Sequence, residues 1–253
     1  MKIDPREATQ FDLAAADQME KIISDLGRMY QERNEALQEV AHAHHEALFL
    51  LAVAADYRDD DTGVHIVRIG FLAEALALRL GQSKAYALLL RKAAPMHDIG
   101  KIGIPDNVLK KPGGLTPKER QVMNQHAAIG ADILGKSRIA LFKLAAEVAL
   151  THHERWNGTG YPRGLAGADI PLSGRIVSVV DFYDALTMDR VYRPAFGEDK
   201  ALAMLQEQSG KAFDPAIVDC FMRHQGELHD LRKRITQSPM SFADLMDSTP
   251  ADL

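Results

Sequence analysis

The chain has 253 residues with 35 acidic and 30 basic side chains, a formal net charge of −5 that gives no sign of the basic face a nucleic-acid polymer usually needs. An anionic substrate must then be met by locally placed arginine or lysine. Hydrophobic residues make up 46% of the chain, enough to bury a core, and the single cysteine, Cys220, excludes an intrachain disulfide and fits a reducing compartment.

The first residues, MKIDPREATQFDL, hold no apolar signal-peptide region, and no apolar run approaches the length that spans a bilayer. The expectation is a cytoplasmic protein without a membrane partner. From about Phe11 to Arg58 the pattern predicts one long helix. Met19, Ile23, Leu26, Tyr30, Leu37, Val40 and Leu51 form a heptad-like stripe, interrupted at Arg33 and His44. Such a stripe suits a coiled coil that makes a homodimer, or a helix lying on its own domain.

After Thr62-Gly63 the pattern becomes densely helical. His65, Ile69, Leu72 and Leu76 share one face, Gly81 ends that helix, and the next runs from about Ser83 to Pro95. Residues 102–115 hold Gly103, Pro105, Pro112, Gly113 and Gly114 and read as a loop. Thr116-Pro117-Lys118-Glu119 reads as a helix start. Thr116 is the N-cap, Pro117 takes the first position and Glu119 closes a capping box. That helix is expected to reach about Leu134, and another to span about Arg138 to His153. Residues 156–174 are rich in Gly and Pro and read as a surface loop. Arg175 to Met188 carries the β-branched Ile176, Val177, Val179 and Val180, which leaves helix and strand open on propensity alone. A last helix pair is expected at about 198–208 and 214–234, followed by a loose polar tail from Gln237. The fold class is all-α: 1–45 as an N-terminal helix for dimerisation, 46–235 as a catalytic domain, 236–253 as the tail.

Seven of the ten histidines lie outside the N-terminal helix. Five of them, His65, His97, His126, His152 and His153, sit beside carboxylates or at the ends of apolar helical faces. One such histidine is more often a satisfied core residue than a ligand. Five of them together with Asp98 and Asp181 suggest a metal centre, because buried polar groups need partners and mixed imidazole and carboxylate donors suit first-row transition metals. Asp61 and His65 are four apart and face the same way on a helix. His97-Asp98 and His152-His153 are adjacent pairs whose side chains diverge by about 100° on a helix. Each pair can address two metals, or one metal and one substrate atom. Asp98 has two oxygens and is the natural bridge, and Lys101 falls one turn later, placed to touch a phosphate or a metal-bound water. His42, His44 and His45, and likewise His224 and His229, read as surface residues. Trp156 and Tyr161 suit stacking on a guanine, and Trp156 equally suits anchoring its loop.

The run His97-Asp98-Ile99-Gly100-Lys101-Ile102-Gly103-Ile104-Pro105-Asp106 resembles the HD signature of the metal-dependent phosphohydrolases. His152-His153-Glu154-Arg155-Trp156-Asn157-Gly158-Thr159-Gly160-Tyr161-Pro162 resembles the HHExxxGxGYP signature of the HD-GYP branch. Further matches follow in order: Arg58-Asp59 with Thr62-Gly63 and His65, Lys111-Pro112-Gly113 with Leu115-Thr116, His126, Gly164-Leu165, Ile170-Pro171-Leu172, Asp181 through Arg193, and Phe213-Asp214-Pro215. They cover about residues 46 to 230.

The resemblance implies an HD-domain helical bundle, with Arg175 to Met188 as helix, and hydrolysis of cyclic di-GMP to pGpG, and in some members on to GMP, in bacterial signalling. Carried over residue by residue, the implied metal ligands are His65, His97, Asp98, His126, His152, His153 and Asp181. Asp98 and Lys101 are the implied catalytic residues. Arg190 and Arg193 are implied to hold substrate phosphate, with Gly160, Tyr161 and Pro162 forming the substrate loop. Two metals about 3.5–4 Å apart neutralise a phosphodiester, lower the pKa of a water and stabilise the leaving oxygen. The ions implied are iron or manganese. Asp61 stands where members with three metals carry Glu, so two ions are expected to be held firmly and a third weakly or not at all. Asn157 replaces a common Asp and Asp56 a common Glu. Diguanylate cyclase domains or an upstream sensor protein are the expected protein partners. Two other readings stay open: an HD phosphohydrolase of another cyclic dinucleotide, and a non-catalytic adaptor that binds cyclic di-GMP.

Overall fold

The computed structural model describes residues 5–58, 64–189, 194–237 and 244–245. Among them there is no strand; eleven α-helices and three short 3₁₀ segments carry the fold. The first helix, α1, runs from Pro5 to Tyr57. The chain falls into two units, Met1–Leu48 and Phe49–Leu253. In the first unit the stripe predicted from the heptad pattern is exposed: Met19, Ile23, Leu26, Tyr30, Leu37 and Val40 all face solvent.

The second unit holds the core. Helix α2 (Val64–Arg79) is buried on every side from His65 to Ala77. A helix apolar all round must be enclosed, and α2 packs against α3 (Lys84–Ala93), α8 (Leu172–Leu186) and α11 (Gln225–Gln237). Its two buried charges find partners: Arg68 pairs with Asp184, and Glu74 accepts from Arg91 at 3.2 Å. Helix α7 (Ala140–Thr151) packs on α3, α8 and α6 (Gln125–Gly135). The run Ile176, Val177, Val179 and Val180 is helical and wholly buried within α8. Enclosure by α2, α7, α9 (Glu198–Glu207) and α10 (Pro215–Arg223) outweighs the mild helix penalty of β-branched residues.

The capping box is formed as expected. Glu119 N donates to Thr116 Oγ1, and the Glu119 carboxylate accepts from Thr116 N at 2.8 Å. Other expectations need correction. The helix predicted to run from Pro117 to about Leu134 is two helices, α5 (Pro117–Met123) and α6, joined at Asn124, where ψ is −15° instead of the helical value. The helix predicted over 214–234 is likewise two, α10 and α11, broken at His224 with φ −114° and ψ 17°. The predicted loop 102–115 contains a short helix, α4 (Asp106–Leu109), whose Val108 and Leu109 make a small core with Ile104. Of the tail beyond 237, only Asp244 and Leu245 are among the described residues; they are helical, with Leu245 buried against Gly70, and the rest of that expectation lies outside the described residues. His229 is not a solvated surface residue. Its Nδ1 lies 3.2 Å from the Tyr183 hydroxyl and its Nε2 lies 2.9 Å from Glu198.

Candidate metal centre

Five separate elements deliver the donors. His65 lies in the first turn of α2, and Asp181 lies on α8. His97 and Asp98 sit between two tight 3₁₀ turns, Ala94–Met96 and Ile99–Gly103, that follow α3. His126 opens α6, and His152 is the C-cap of α7 with His153 next. The seven side chains proposed from sequence come together in two groups. Asp98, His126, His152 and His153 form one, and His65, His97 and Asp181 the other, with ligand atoms in each group within 4.8 Å of one another. Asp98 joins them. Its Oδ1 lies 3.2 Å from His126 Nε2 and 3.5 Å from His152 Nε2, while its Oδ2 lies 3.3 Å from His97 Nε2. Lys101 Nζ sits 2.8 Å from the same Oδ2.

The tautomers can be read from the backbone. His97 Nδ1 donates to Ala94 O at 3.0 Å, His126 Nδ1 to Met123 O at 2.7 Å, and His152 Nδ1 to Ala149 O at 3.0 Å. A carbonyl only accepts, so each Nδ1 carries a hydrogen and each ring turns its Nε2 inward. All three Nε2 atoms and Asp98 Oδ1 are buried and, among the described residues, without a hydrogen-bond partner. With Nε2 unprotonated, acceptors face acceptors, an arrangement that a bound cation, or otherwise a proton, relieves. This is the observation on which a metal fits.

Charge in the pocket is strongly perturbed. Burial opposes ionisation of Asp98, but Lys101 and the imidazoles outweigh it and hold the carboxyl well below the usual range. Burial also opposes Asp181, and His65 and His97 reverse the effect. Burial and the neighbouring His152 push His153 well down, towards the neutral form that ligates. For His65, burial lowers the pKa, but Asp181 and Asp184 outweigh it and push it up to about 10. A metal must displace that proton, so uptake is coupled to proton release.

The GYP loop closes one side. Tyr161 lies with its ring centroid 4.8 Å from His153 and 6.2 Å from His126. Gly160 passes so close to the backbone of Glu154 and Arg155 that a Cβ has no room. Glu154, itself buried, accepts from the backbone N–H of Arg163 at 2.7 Å and of Leu165 at 3.0 Å. Asn157 turns into its own loop and accepts from Thr159 N and Oγ1. The backbone N–H of Trp156 donates to Ala212 O and fastens this loop, and the Arg175 guanidinium lies 5.9 Å over the indole.

Arg190, Arg193 and Asp61 lie outside the described residues. Sequence reasoning passed over Arg58, Arg68, Glu154, Asp184 and Arg232 as site residues. Arg58 bonds the carbonyls of Ile102 and Ile104 and the Asp106 carboxylate, fastening the turn that carries Lys101. Asp184 is wholly buried under His65. A signal was available for it, because Asp184 follows Asp181 by three, and Arg68 follows His65 by three.

A helical bundle built around a buried, two-part nest of imidazoles and carboxylates defines a narrow structural class. The sequence matches the HD domain family over residues 18–217, and the chain belongs to that family, in its HD-GYP branch. It is 44% identical over 189 residues to a cyclic di-GMP phosphodiesterase of Thermotoga maritima, covering 75% of this chain and 51% of that protein. It is 48% identical over 202 residues to a cyclic di-GMP phosphodiesterase of Vibrio cholerae, covering 74% of this chain and 41% of that one. The chain therefore spans about half the length of the curated relatives it matches. The crystal structure of a cyclic GMP-AMP-specific phosphodiesterase of V. cholerae shares the fold with a TM-score of 0.57 at 20% identity, over 82% of this chain and 56% of that one. No helix among the described residues is long and apolar enough to cross a membrane.

Proposed function

We propose that the chain hydrolyses the phosphodiester bonds of cyclic di-GMP to pGpG, with two transition-metal ions, iron or manganese, as cofactors. The observation that carries this reading is the pair of adjoining donor groups joined by Asp98, with buried Nε2 atoms aimed inward that have no hydrogen-bond partner among the described residues. The names of the two relatives above and the intact HD and GYP signatures support the substrate. His65, His97 and Asp181 would hold one ion, and His126, His152 and His153 the other, with Asp98 common to both. Bound ions would supply charge neutralisation and an activated water. The chain's own residues do the rest. Asp98 holds the Lys101 ammonium in the pocket, where it meets the phosphate charge. Tyr161, over His153, borders the space the substrate enters. Arg190 and Arg193 take the phosphates.

The test is turnover by protein purified without oxygen, with its metal content measured alongside. Cyclic di-GMP is expected to be consumed faster than other cyclic dinucleotides, with pGpG appearing first. Tight binding without turnover would replace the enzyme by an adaptor, and faster turnover of a mixed dinucleotide would replace the substrate. For the arginines, Arg190→Ala and Arg193→Ala are each expected to weaken cyclic di-GMP binding by about 1.5–3 kcal/mol while sparing metal content. Titrations showing unchanged affinity and reduced metal would assign them a structural role instead.

The same reading assigns 46–235 to catalysis in the cytoplasm and 1–45 to self-association, with a diguanylate cyclase domain or a sensor protein as further partner. The exposed stripe Met19, Ile22, Ile23, Leu26, Met29 and Tyr30 is a continuous apolar patch of the kind that marks an interface. Its proposed occupant is the same helix of a second copy. Deleting residues 1–40 is expected to convert a dimer to a monomer in solution scattering. A full-length protein that is already monomeric at working concentration would remove this assignment.

A further inference from the structure

We infer that Asp184 is a positioning residue that fixes His65 for the metal, and that α11 takes part in the site through it. The inference rests on the metal-centre reading above and concerns a residue outside the donor set. Asp184 lies on α8 three residues after Asp181 and is wholly buried. Its Oδ2 lies 2.7 Å from His65 Nδ1, while Asp181 Oδ1 lies 3.4 Å from His65 Nε2. Two carboxylates one helical turn apart thus grip opposite nitrogens of one imidazole. That arrangement sets the rotation of the ring as well as its tautomer.

The remaining acceptor positions of Asp184 are filled by arginine. Arg68 donates from Nε to Oδ1 at 2.7 Å and from Nη2 to Oδ2 at 2.8 Å. Arg232, on α11, donates from Nε to Oδ1 at 2.9 Å. A carboxylate flanked by two guanidinium groups only accepts, so His65 must donate from Nδ1 and present Nε2. A plain buried ion pair would be complete with the arginines alone. The bond to His65 gives the cluster a use beyond charge balance. Arg232 also donates from Nη2 to Thr187 O at 2.6 Å, which ties α11 to the C-terminal turn of α8, just before the segment carrying Arg190 and Arg193.

Full-length, metal-stripped protein titrated with Mn²⁺ by calorimetry tests this. The wild type is expected to take up two ions. Asp184→Glu keeps the charge for Arg68 and Arg232 but moves the oxygen at His65 by roughly 1.5 Å, one C–C bond. It is expected to bind one ion normally and the other about tenfold to a hundredfold more weakly. Because Asp184 acts through His65, Asp184→Glu should weaken Mn²⁺ no further in a His65→Ala background. An isotherm of Asp184→Glu like the wild type, or an equal further loss in the His65→Ala background, would overturn the inference. A wild type that takes up no Mn²⁺ would instead overturn the metal-centre reading beneath it. A second measurement needs no variant: ¹⁵N spectra of zinc-loaded wild type should show His65 with its hydrogen on Nδ1. Hydrogen on Nε2 would refute the inference even if Asp184→Glu failed to fold.

Discussion

Replacing Asp98 with alanine is expected to remove metal and turnover together while the helical circular dichroism stays at the wild-type level. Both oxygens of Asp98 are committed to the site. Oδ1 faces His126 and His152, and Oδ2 faces His97 and Lys101. Among the described residues no other carboxylate joins the group of His126, His152 and His153, so the substitution takes away the anion that group is seen to hold. An ion held by neutral rings alone there would carry its full charge in a buried pocket, which is costly. The transition-state stabilisation lost is several kcal/mol, so turnover is expected to fall on the order of 10³-fold or more. The fold is expected to survive because Asp98, although it precedes the Ile99–Gly103 turn, makes no side-chain capping bond there. Turnover by Asp98→Ala within a few-fold of wild type would end the mechanism proposed. Loss of the helical signal would show that Asp98 holds the fold, contrary to its contacts.

The sequence displays the donor set because ligand chemistry restricts residue type. His97-Asp98 and His152-His153 stand out as adjacent pairs, and His65 and Asp181 become visible once the ordered signatures are aligned with them. The helix start at Thr116 is legible for a similar reason: a capping box is written in four consecutive residues and needs no tertiary partner. Features that depend on distant residues are harder to read. Asp184 looks like one more acid on an amphipathic helix until α2 and α11 bring Arg68 and Arg232 to it across the sequence. The breaks at Asn124 and His224 arise from one or two torsion angles at residues of middling helix propensity, which a period of 3.6 does not register. His229 reads as surface because Tyr183 and Glu198 lie on other helices. The β-branched run in α8 is helix on the resemblance and helix in the structure, though its own residues do not say so. Its local preference is ambiguous, and only enclosure on all sides makes it helical.

The second large effect is expected from Gly100→Ala, a change of one methyl group. Gly100 lies between Asp98 and Lys101 in the 3₁₀ turn, where this segment crosses α6. A Cβ there would fall on the His126 carbonyl oxygen and stand 2.5 Å from Gly130 N and 2.8 Å from His126 C. These are backbone atoms, so no side chain can rotate away. Helix α6 cannot simply retreat, because Gly130 already rests 3.2 Å from the Ala149 side chain of α7 by the same measure. The turn and α6 must therefore separate, which shifts the segment carrying Asp98 against the helix carrying His126, whose Nε2 now lies 3.2 Å from Asp98 Oδ1. Metal sites tolerate displacements of about 0.2 Å. Overpacking of this kind costs about 1–3 kcal/mol of stability, and misplacement of catalytic groups by about 1 Å costs on the order of 10²-fold in rate. Gly114→Ala is the control: nothing lies within 4 Å of its Cβ position, and it should change stability by no more than about 0.5 kcal/mol. Calorimetric melting and metal analysis of the two variants, measured together, give the comparison. The expected result is a lowered melting temperature and reduced metal in Gly100→Ala alone. Wild-type melting and full metal content in Gly100→Ala would mean that the turn and α6 are not held in contact, and that the spacing between Asp98 and His126 is set by some other part of the fold.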